Sequence, residues 1–397
     1  MRILIVSSYL PYPLTNGGHI RLYNLIRLLS KKHKITLVCE IRGFQTEKDV
    51  EAIKKFCEDV ITVERKRQWT KKNILKSGFS LDPFLVVGHT LPEMKAKIVE
   101  VMLQKTFDVI HVETFYVLQN VPKTYVPIVL AEHNVEYLVY QRYANKTKPF
   151  VRPLLAIDIM KIKNKEEQAW KRVQALIAVS DEEARIMKRP DVFVVPNGVD
   201  VGKFKLQTTA SKFVKKEKRV LFIGDFKWIQ NRESVSWILK EIWPKIRSQF
   251  TVHNSGLILW IVGRHIPDSL KELGGENVIF DENASEQTEK IYQQAVALLA
   301  PIRVGGGTQY KILEAMASGI PVITTHLGAE GIKCNSKKDL LVADDPEKIA
   351  QHVTRILQDK GEYEILTKNA RICIEKHYSW ETIADKLENV YQHVVSE

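Results

Sequence analysis

The sequence predicts an α/β protein built from two successive doubly wound, Rossmann-like domains. Three observations carry that expectation. Apolar strand-like runs alternate with helical spacings, the alternation starts afresh at Arg219 after a polar, lysine-rich stretch from Gln207 to Lys218, and glycine-bearing loops stand directly beyond strands in both halves. A chain of 397 residues is long enough for two or three domains, each with its own core.

Composition narrows the class. Hydrophobic residues make up 45% and charged residues 27%, as in ordinary globular proteins. No apolar run approaches the ~18 residues that would span a bilayer. Met1 to Val6 is too short for the core of a signal peptide and soon meets Pro11 and Pro13, so a strand is expected there. Cys39, Cys57, Cys334 and Cys373 are widely spaced and form no metal or redox motif, so buried, reduced thiols in a cytoplasmic protein are expected. The net charge of +12 and a pI near 9.3 ask for an anionic partner, whether nucleotide, nucleic acid or acidic membrane, although a charge excess is more often plain solvated surface.

Taken in order, Arg2 to Ser8 is β-branched and apolar and ends in the turn-rich run Tyr9 to Gly18. His19 to Leu29 has helical spacing and Lys34 to Cys39 returns as a strand, giving a βαβ opening. Ligands in such sheets sit beyond the carboxyl ends of the strands, which makes Asn16, Gly17 and Gly18 candidate binding residues, with a plain turn as the competing explanation. No G-x-G-x-x-G follows the first strand, which argues against a dinucleotide dehydrogenase. Further strands are expected at Val60 to Val63, Val109 to Val112, Ile128 to Ala131, Ala175 to Ser180 and Val192 to Val195, and a long charged helix at Pro153 to Trp170. The stretch 65–79 is basic with Trp69 and Phe79 interleaved. It suits the headgroup zone of an anionic membrane, would also suit nucleic acid, and most commonly marks a solvated helix. No nucleic-acid-binding motif accompanies it, so no nucleic acid is expected as partner. His133 stands just past a strand end and so faces the cleft in this architecture, with Glu132, Asn134 and Glu136 beside it as secondary candidates, although a lone histidine is more often structural. Asn197-Gly198 is a turn.

In the second half, strands are expected at Arg219 to Gly224, Leu257 to Gly263, Asn277 to Phe280, Ala295 to Ala300 and Pro321 to Thr325. Between the last two lies the most informative stretch. Gly305, Gly306 and Gly307 bring backbone amides close to an anion, Thr308 can cap the helix Gln309 to Ser318, and Gly319 with Pro321 stops it. Arg303 and Lys311 flank the loop with positive charge. Glu314 lies six residues into the helix, roughly 9 Å along its axis, about the distance from a diphosphate to the ribose of the same nucleotide. The competing explanation is again a tight turn and nothing more.

Gly305 to Thr308 followed by Lys311-Ile-Leu-Glu314-Ala-Met-Ala-Ser-Gly-Ile-Pro-Val-Ile323 resembles the donor-binding signature of family 4 (GT4) retaining glycosyltransferases. These are GT-B enzymes, whose two Rossmann-like domains face each other across a cleft. In that family two glutamates eight positions apart contact the donor, one at the sugar and one at the ribose. Glu314 matches the second, Gly306 stands at the first, and the chain resembles the branch with a Gly-Gly-Gly-Thr loop. The resemblance implies an acceptor-side domain at 1–206, a donor-binding domain at 207–378, and a tail helix at about 379–397 crossing back onto the first. It places Asn16 to Gly18 before the donor phosphates and acceptor, and His133 near the donor sugar. Asn197-Gly198-Val199-Asp200 with Phe204 matches the segment entering the interdomain linker. Gly224 is the first loop glycine of the donor domain, but Asp225 and Gln230 replace the Arg and Lys that most members carry there. Lys227, Arg232 or Arg303 would supply that charge, Arg303 above all because it adjoins the glycine loop. His133 and Arg303 are therefore the implied catalytic residues. Gly305, Gly306, Gly307, Thr308, Lys311, Glu314, Asn16, Gly17, Gly18, Asn197, Gly224 and Lys227 are the implied donor-binding set.

The implied activity is hexosyl transfer, with retention, from a nucleotide-diphosphate sugar to a hydroxyl of a glycan or lipid-linked acceptor in cell-surface polysaccharide or glycolipid synthesis. The absence of an Asp-x-Asp motif leads us to expect no metal and no cofactor, the leaving diphosphate being stabilised by amides and cations. The expected location is cytoplasmic, peripheral on the inner face of the plasma membrane through 65–79. Two rivals stay open: a nucleotide-sugar epimerase, which needs no acceptor, and a non-catalytic nucleotide-binding protein, suggested by Gly306, Asp225 and Gln230.

Overall fold

Seven strands of the first half form one parallel sheet in the computed structural model, which describes residues 1–145, 147–149, 151–206, 217–250, 256–285, 287–304 and 309–396. They are β1 (Arg2–Ser7), β2 (Lys34–Ile41), β3 (Asp59–Glu64), β4 (Val109–Glu113), β5 (Ile128–Ala131), β6 (Ala175–Ala178) and β7 (Val192–Val194), in the order β3-β2-β1-β4-β5-β6-β7. Every pairing is parallel, with Arg2 opposite Lys34 and Ile3 opposite Val109. The second sheet holds β8 (Lys218–Ile223), β9 (Leu257–Val262), β10 (Val278–Asp281), β11 (Ala295–Ala300), β12 (Val322–Thr324) and β13 (Leu341–Val342), in the order β10-β9-β8-β11-β12-β13. All of its pairings are parallel too. Parallel sheets are covered by helices on both faces, which is why the central strands read as unbroken apolar runs. All six residues of β11 are buried, so no position along it could be given to a polar side chain without cost.

The chain divides into two compact units, 1–196 with 383–397 (unit 1) and 197–382 (unit 2). In unit 1, helix α1 (Gly17–Leu29) is capped by Asn16, whose side chain accepts from the His19 amide. The other helices used below are α2 (Lys71–Gly78), α3 (Glu136–Asn145), α4 (Arg152–Arg172), α5 (Ile229–Trp237), α6 (Tyr310–Ala317), α7 (Lys360–His377) and α8 (Trp380–Ser396), which re-enters unit 1 at Ile383. The unit 2 sheet carries one apolar cluster around Phe222, Ile242 and Ile356, and another around Leu298, Met316 and Ile374. Each buried aliphatic side chain in them contributes about 1.5–3 kcal/mol.

Two expectations need correction. Helix α6 starts at Tyr310 with Gln309 at its N-cap position, and Thr308, expected there as the cap, lies outside the described residues. The cysteines are not all free thiols: Cys334 and Cys373 form a disulfide, Cα atoms 6.0 Å apart, tying α7 to the segment that follows β12. Thirty-nine residues separate them, so only the fold brings them together. Cys39 and Cys57 are free, and burial pushes both thiols up, that of Cys57 to about 12.

Candidate functional site

In a doubly wound sheet the ligand site lies beyond the carboxyl ends of the strands where their order reverses. In unit 2 that point is between β8 and β11. Beyond β11 come Pro301, Ile302 and Arg303, while Gly305, Gly306, Gly307 and Thr308 lie outside the described residues. Arg303 lays its guanidinium over the Trp237 ring, 4.3 Å from the centroid. Lys311 donates from Nζ to Asn231 Oδ1 at 2.7 Å and stands 4.5 Å from the Phe222 ring centroid. Both cations thus rest on α5. Burial draws Lys311 down to about 7, with the charge of Glu314 pulling the other way. Glu314, three residues on and on the same face of α6, accepts from the Tyr292 hydroxyl at 2.9 Å. Burial pushes its carboxyl up to about 7, against the Tyr292 bond and the charges of Lys203 and Lys311.

Gly224 is needed where it is. A Cβ there would sit 2.7 Å from the Asn231 amide, which the loop holds by a 2.7 Å bond to the Asp225 carbonyl. Asp225 in turn accepts from the Lys227 amide at 2.9 Å and pairs with His265 at 3.1 Å, leaving the Lys227 side chain exposed at the loop tip. Glu314 is supported from behind. Tyr292 meets Phe204 edge-on at 5.8 Å, and Arg371 of α7 donates to the carbonyls of Phe204 and Ala317, each at 2.6 Å. Asn197 heads that same segment, in which Asp200 accepts from the Gly202 and Lys203 amides.

In unit 1 the order reverses between β1 and β4. Beyond β5, His133 bonds through Nε2 to Glu113, the last residue of β4, and lies 3.3 Å from the Tyr9 hydroxyl. A Cβ on Gly18 would lie 3.1 Å from that same hydroxyl, a tight contact that glycine avoids where Tyr9 reaches His133. Tyr9 thereby joins Asn16, Gly17 and Gly18 to His133. Glu132 departs from expectation. Its buried carboxylate accepts from the Phe115 amide and the Trp170 indole, both at 3.3 Å, and so serves the core rather than a ligand. Burial, then the charges of Glu166 and Glu136, pushes it well above the usual carboxylate range. Glu166 of α4 accepts from the first two amides of α3, at 2.7 and 3.1 Å.

Comparison with known proteins shows the family. The model for Glycosyltransferase Family 4 matches residues 15–203, and that for glycosyl transferases group 1 matches residues 217–359. The chain belongs to glycosyltransferase family 4. This glycosyltransferase is 22% identical over 394 residues to an uncharacterised 44.6 kDa protein in the cps region of Klebsiella pneumoniae, covering 95% of this chain and 96% of that protein. Among solved structures it resembles sucrose-phosphate synthase of Thermosynechococcus elongatus over the whole of both chains (TM-score 0.71, 16% identity). It also resembles Anabaena HepE in complex with UDP-glucose, again over both whole chains (TM-score 0.65, 13% identity). These likenesses show the fold, two Rossmann-like parallel-sheet units of the GT-B class.

The glycosyltransferase therefore gathers Gly224, Arg303, Lys311 and Glu314 at one strand edge, and Asn16, Gly17, Gly18 and His133 at the other. Sequence reasoning missed Glu113, His111, Tyr9 and Tyr391. A signal was present: His111 and Glu113 are ionisable residues two apart in an apolar strand, which puts them on one face. The basic stretch 65–79 enters α2 with Trp69 80% and Phe79 91% exposed, and Leu81 beyond it 84% exposed, among the exposed Lys66, Arg67, Lys71, Lys72 and Lys76. No helix among the described residues is long and apolar enough to cross a membrane.

Proposed function

We propose that this family 4 glycosyltransferase is a retaining hexosyltransferase, acting on a nucleotide-diphosphate sugar and an acceptor hydroxyl in the synthesis of a cell-surface polysaccharide or glycolipid. The observation that carries the donor site is the placement of Lys311 and Glu314 on one face of α6. Among the described residues each meets one hydrogen-bonding side chain, Asn231 for Lys311 and Tyr292 for Glu314, while an ammonium has three donors and a carboxylate about four lone pairs to offer. Lys311 and Arg303 meet the diphosphate and Glu314 accepts from the ribose hydroxyls. The anomeric carbon parts from the phosphate oxygen and bonds the acceptor oxygen on the same face, while the acceptor proton passes to the departing phosphate. Preorganised cations lower that barrier without a metal. HepE, solved with UDP-glucose, supports testing a uridine nucleotide first, and the cps-region relative supports a polysaccharide product. We assign the exposed aromatics and lysines around α2 to contact with an anionic membrane that carries the acceptor.

The test is calorimetric titration with UDP, GDP and ADP in EDTA, on wild type and Glu314→Ala. One diphosphate should bind without metal, and at least tenfold more weakly to the variant, about 1.4 kcal/mol. Equal affinity in the variant, or no binding by any nucleotide, removes Glu314 from the donor site.

A further inference from the structure

Behind His133 stands a line of buried polar groups drawn from β4 and α8. Glu113 is wholly buried, with Oε1 accepting from His111 Nε2 at 2.9 Å and Oε2 accepting from His133 Nε2. On the far side of His111, its Nδ1 lies 2.8 Å from the Tyr391 hydroxyl, which α8 brings 280 residues along the chain to reach it. His111 and Tyr391 are buried as well, whereas the His133 side chain keeps 18% of its surface exposed. Nδ1 of His133 takes part in none of these bonds.

Burial alone would push the Glu113 carboxyl up. The charge of His133 and the bonds from both imidazoles overturn that and hold it well below the usual carboxylate range, so it is ionised. An ionised carboxylate offers only lone pairs, so the Nε2 atoms of His111 and His133 must both carry the proton. His111 Nδ1 can then accept from Tyr391, whose own deprotonation burial strongly opposes. A buried charge of this kind is poor value as a stabiliser, since well-packed apolar groups do as well. What it does supply is one ring orientation and one tautomer.

We propose that Glu113, His111 and Tyr391 are positioning residues that hold His133 with its proton on Nε2 and Nδ1 turned to the reacting sugar, making the tail helix α8 part of the catalytic apparatus. This rests on the reading of His133 as the residue beside the donor sugar. Other charged groups act on the line: Glu136, at the start of α3, interacts with His133, and Arg21 of α1 with Tyr391.

The first readout needs no substrate. Nitrogen-15 spectra of the imidazoles at pH 8, with His133 assigned through His133→Gln, should show His133 as the Nε2–H tautomer in the wild type. A His133 that carries its proton on Nδ1, or mixes both forms, overturns the proposal even where nucleotide binding is intact. The reverse outcome, the expected tautomer without nucleotide binding, would fault the donor site and not the relay. The second readout is transfer of the donor sugar to water. Glu113→Gln should lower kcat at least tenfold with KM within twofold and displace the pH profile, and Tyr391→Phe should displace that profile in the same direction by less. Loss of thermal stability in these variants with tautomer and pH profile unchanged would mean a purely structural role. If Glu113→Gln does not fold, the wild-type tautomer and Tyr391→Phe still decide.

Discussion

Beyond the switch point of unit 1, the polar side chains bond to one another: Tyr391 to His111, His111 to Glu113, Glu113 to His133, His133 to Tyr9. In unit 2 the corresponding groups meet separate partners, Lys311 on Asn231, Glu314 on Tyr292 and Arg303 on the face of Trp237. One edge has its geometry settled before a ligand arrives. The other holds charges whose remaining bonding capacity a ligand must complete. Shared topology therefore fixes where a site lies and says little about how it is furnished.

The sharpest way to break this contrast is to move charge from each edge in turn. Lys311→Ala should weaken diphosphate binding about 10- to 100-fold, the range of a charge-assisted hydrogen bond worth ~1.5–3 kcal/mol. His133→Gln should leave that affinity within about twofold and abolish transfer, because the role proposed for His133 is at the reacting sugar and not at the diphosphate. Comparable losses of affinity in both variants, measured by calorimetry, would erase the distinction.

Proton linkage sharpens it further. Lys311 and Glu314 both titrate near 7, and a ligand acts on them with opposite sign. A diphosphate favours the ammonium, so binding at pH 8 should take up protons. Ribose hydroxyls favour the carboxylate, so binding at pH 6, where Lys311 is already charged, should release them. Titration in two buffers of different ionisation enthalpy reads the sign at each pH, and an unchanged sign would put one of the two groups away from the nucleotide.

Unit 1 carries a further pH-linked cost in two buried carboxyls of its helices. Burial pushes Glu166 up to about 8 and Glu136 to about 7. A carboxyl raised on folding keeps its proton in the native state after the unfolded chain has lost it. Stability therefore falls as pH rises from the ordinary value of ~4.3 through about 8, by at most ~1.4 kcal/mol per pH unit for each group. Glu166→Gln should lose less stability than wild type between pH 5.5 and 8.5 in thermal melts. Parallel losses would mean that these acids are ionised in the fold. The smallest effect on the folded chain is expected from Trp69→Ser with Phe79→Ser. Stability should stay within about 0.5 kcal/mol and diphosphate affinity should not move, since both side chains are exposed. Binding to anionic vesicles in sedimentation should drop, and undiminished binding would leave the basic stretch as solvated surface.

How much of this was legible beforehand follows from what each feature depends on. Strands such as Ile128–Ala131 and Ala295–Ala300 were readable to the residue because a buried parallel strand must be apolar along its whole length. The two-residue β13 was not, since so short a run has no period. The place of Glu314 on α6 was readable because helix rise converts spacing into distance. Tyr391 was not, because nothing local in α8 tells that its hydroxyl will meet a histidine on β4. The disulfide failed for the same reason: a pairing across 39 residues is a property of the tertiary fold. Glu132 misled because a carboxylate one residue past a strand end looks like a ligand group, while alternation turns its side chain into the core.

Unit 2 is a single insert between Pro196 and Ile383 of unit 1, and its two ends are laced together. Val199 donates to the Tyr378 carbonyl at 2.8 Å and accepts from the Trp380 amide at 3.3 Å, closing the insert a few residues inside each junction. A segment whose entry and exit touch behaves as a cassette. Replacing it between two junctions that are distant in sequence and adjacent in space would leave every strand of the host sheet intact, with only a short gap to reseal.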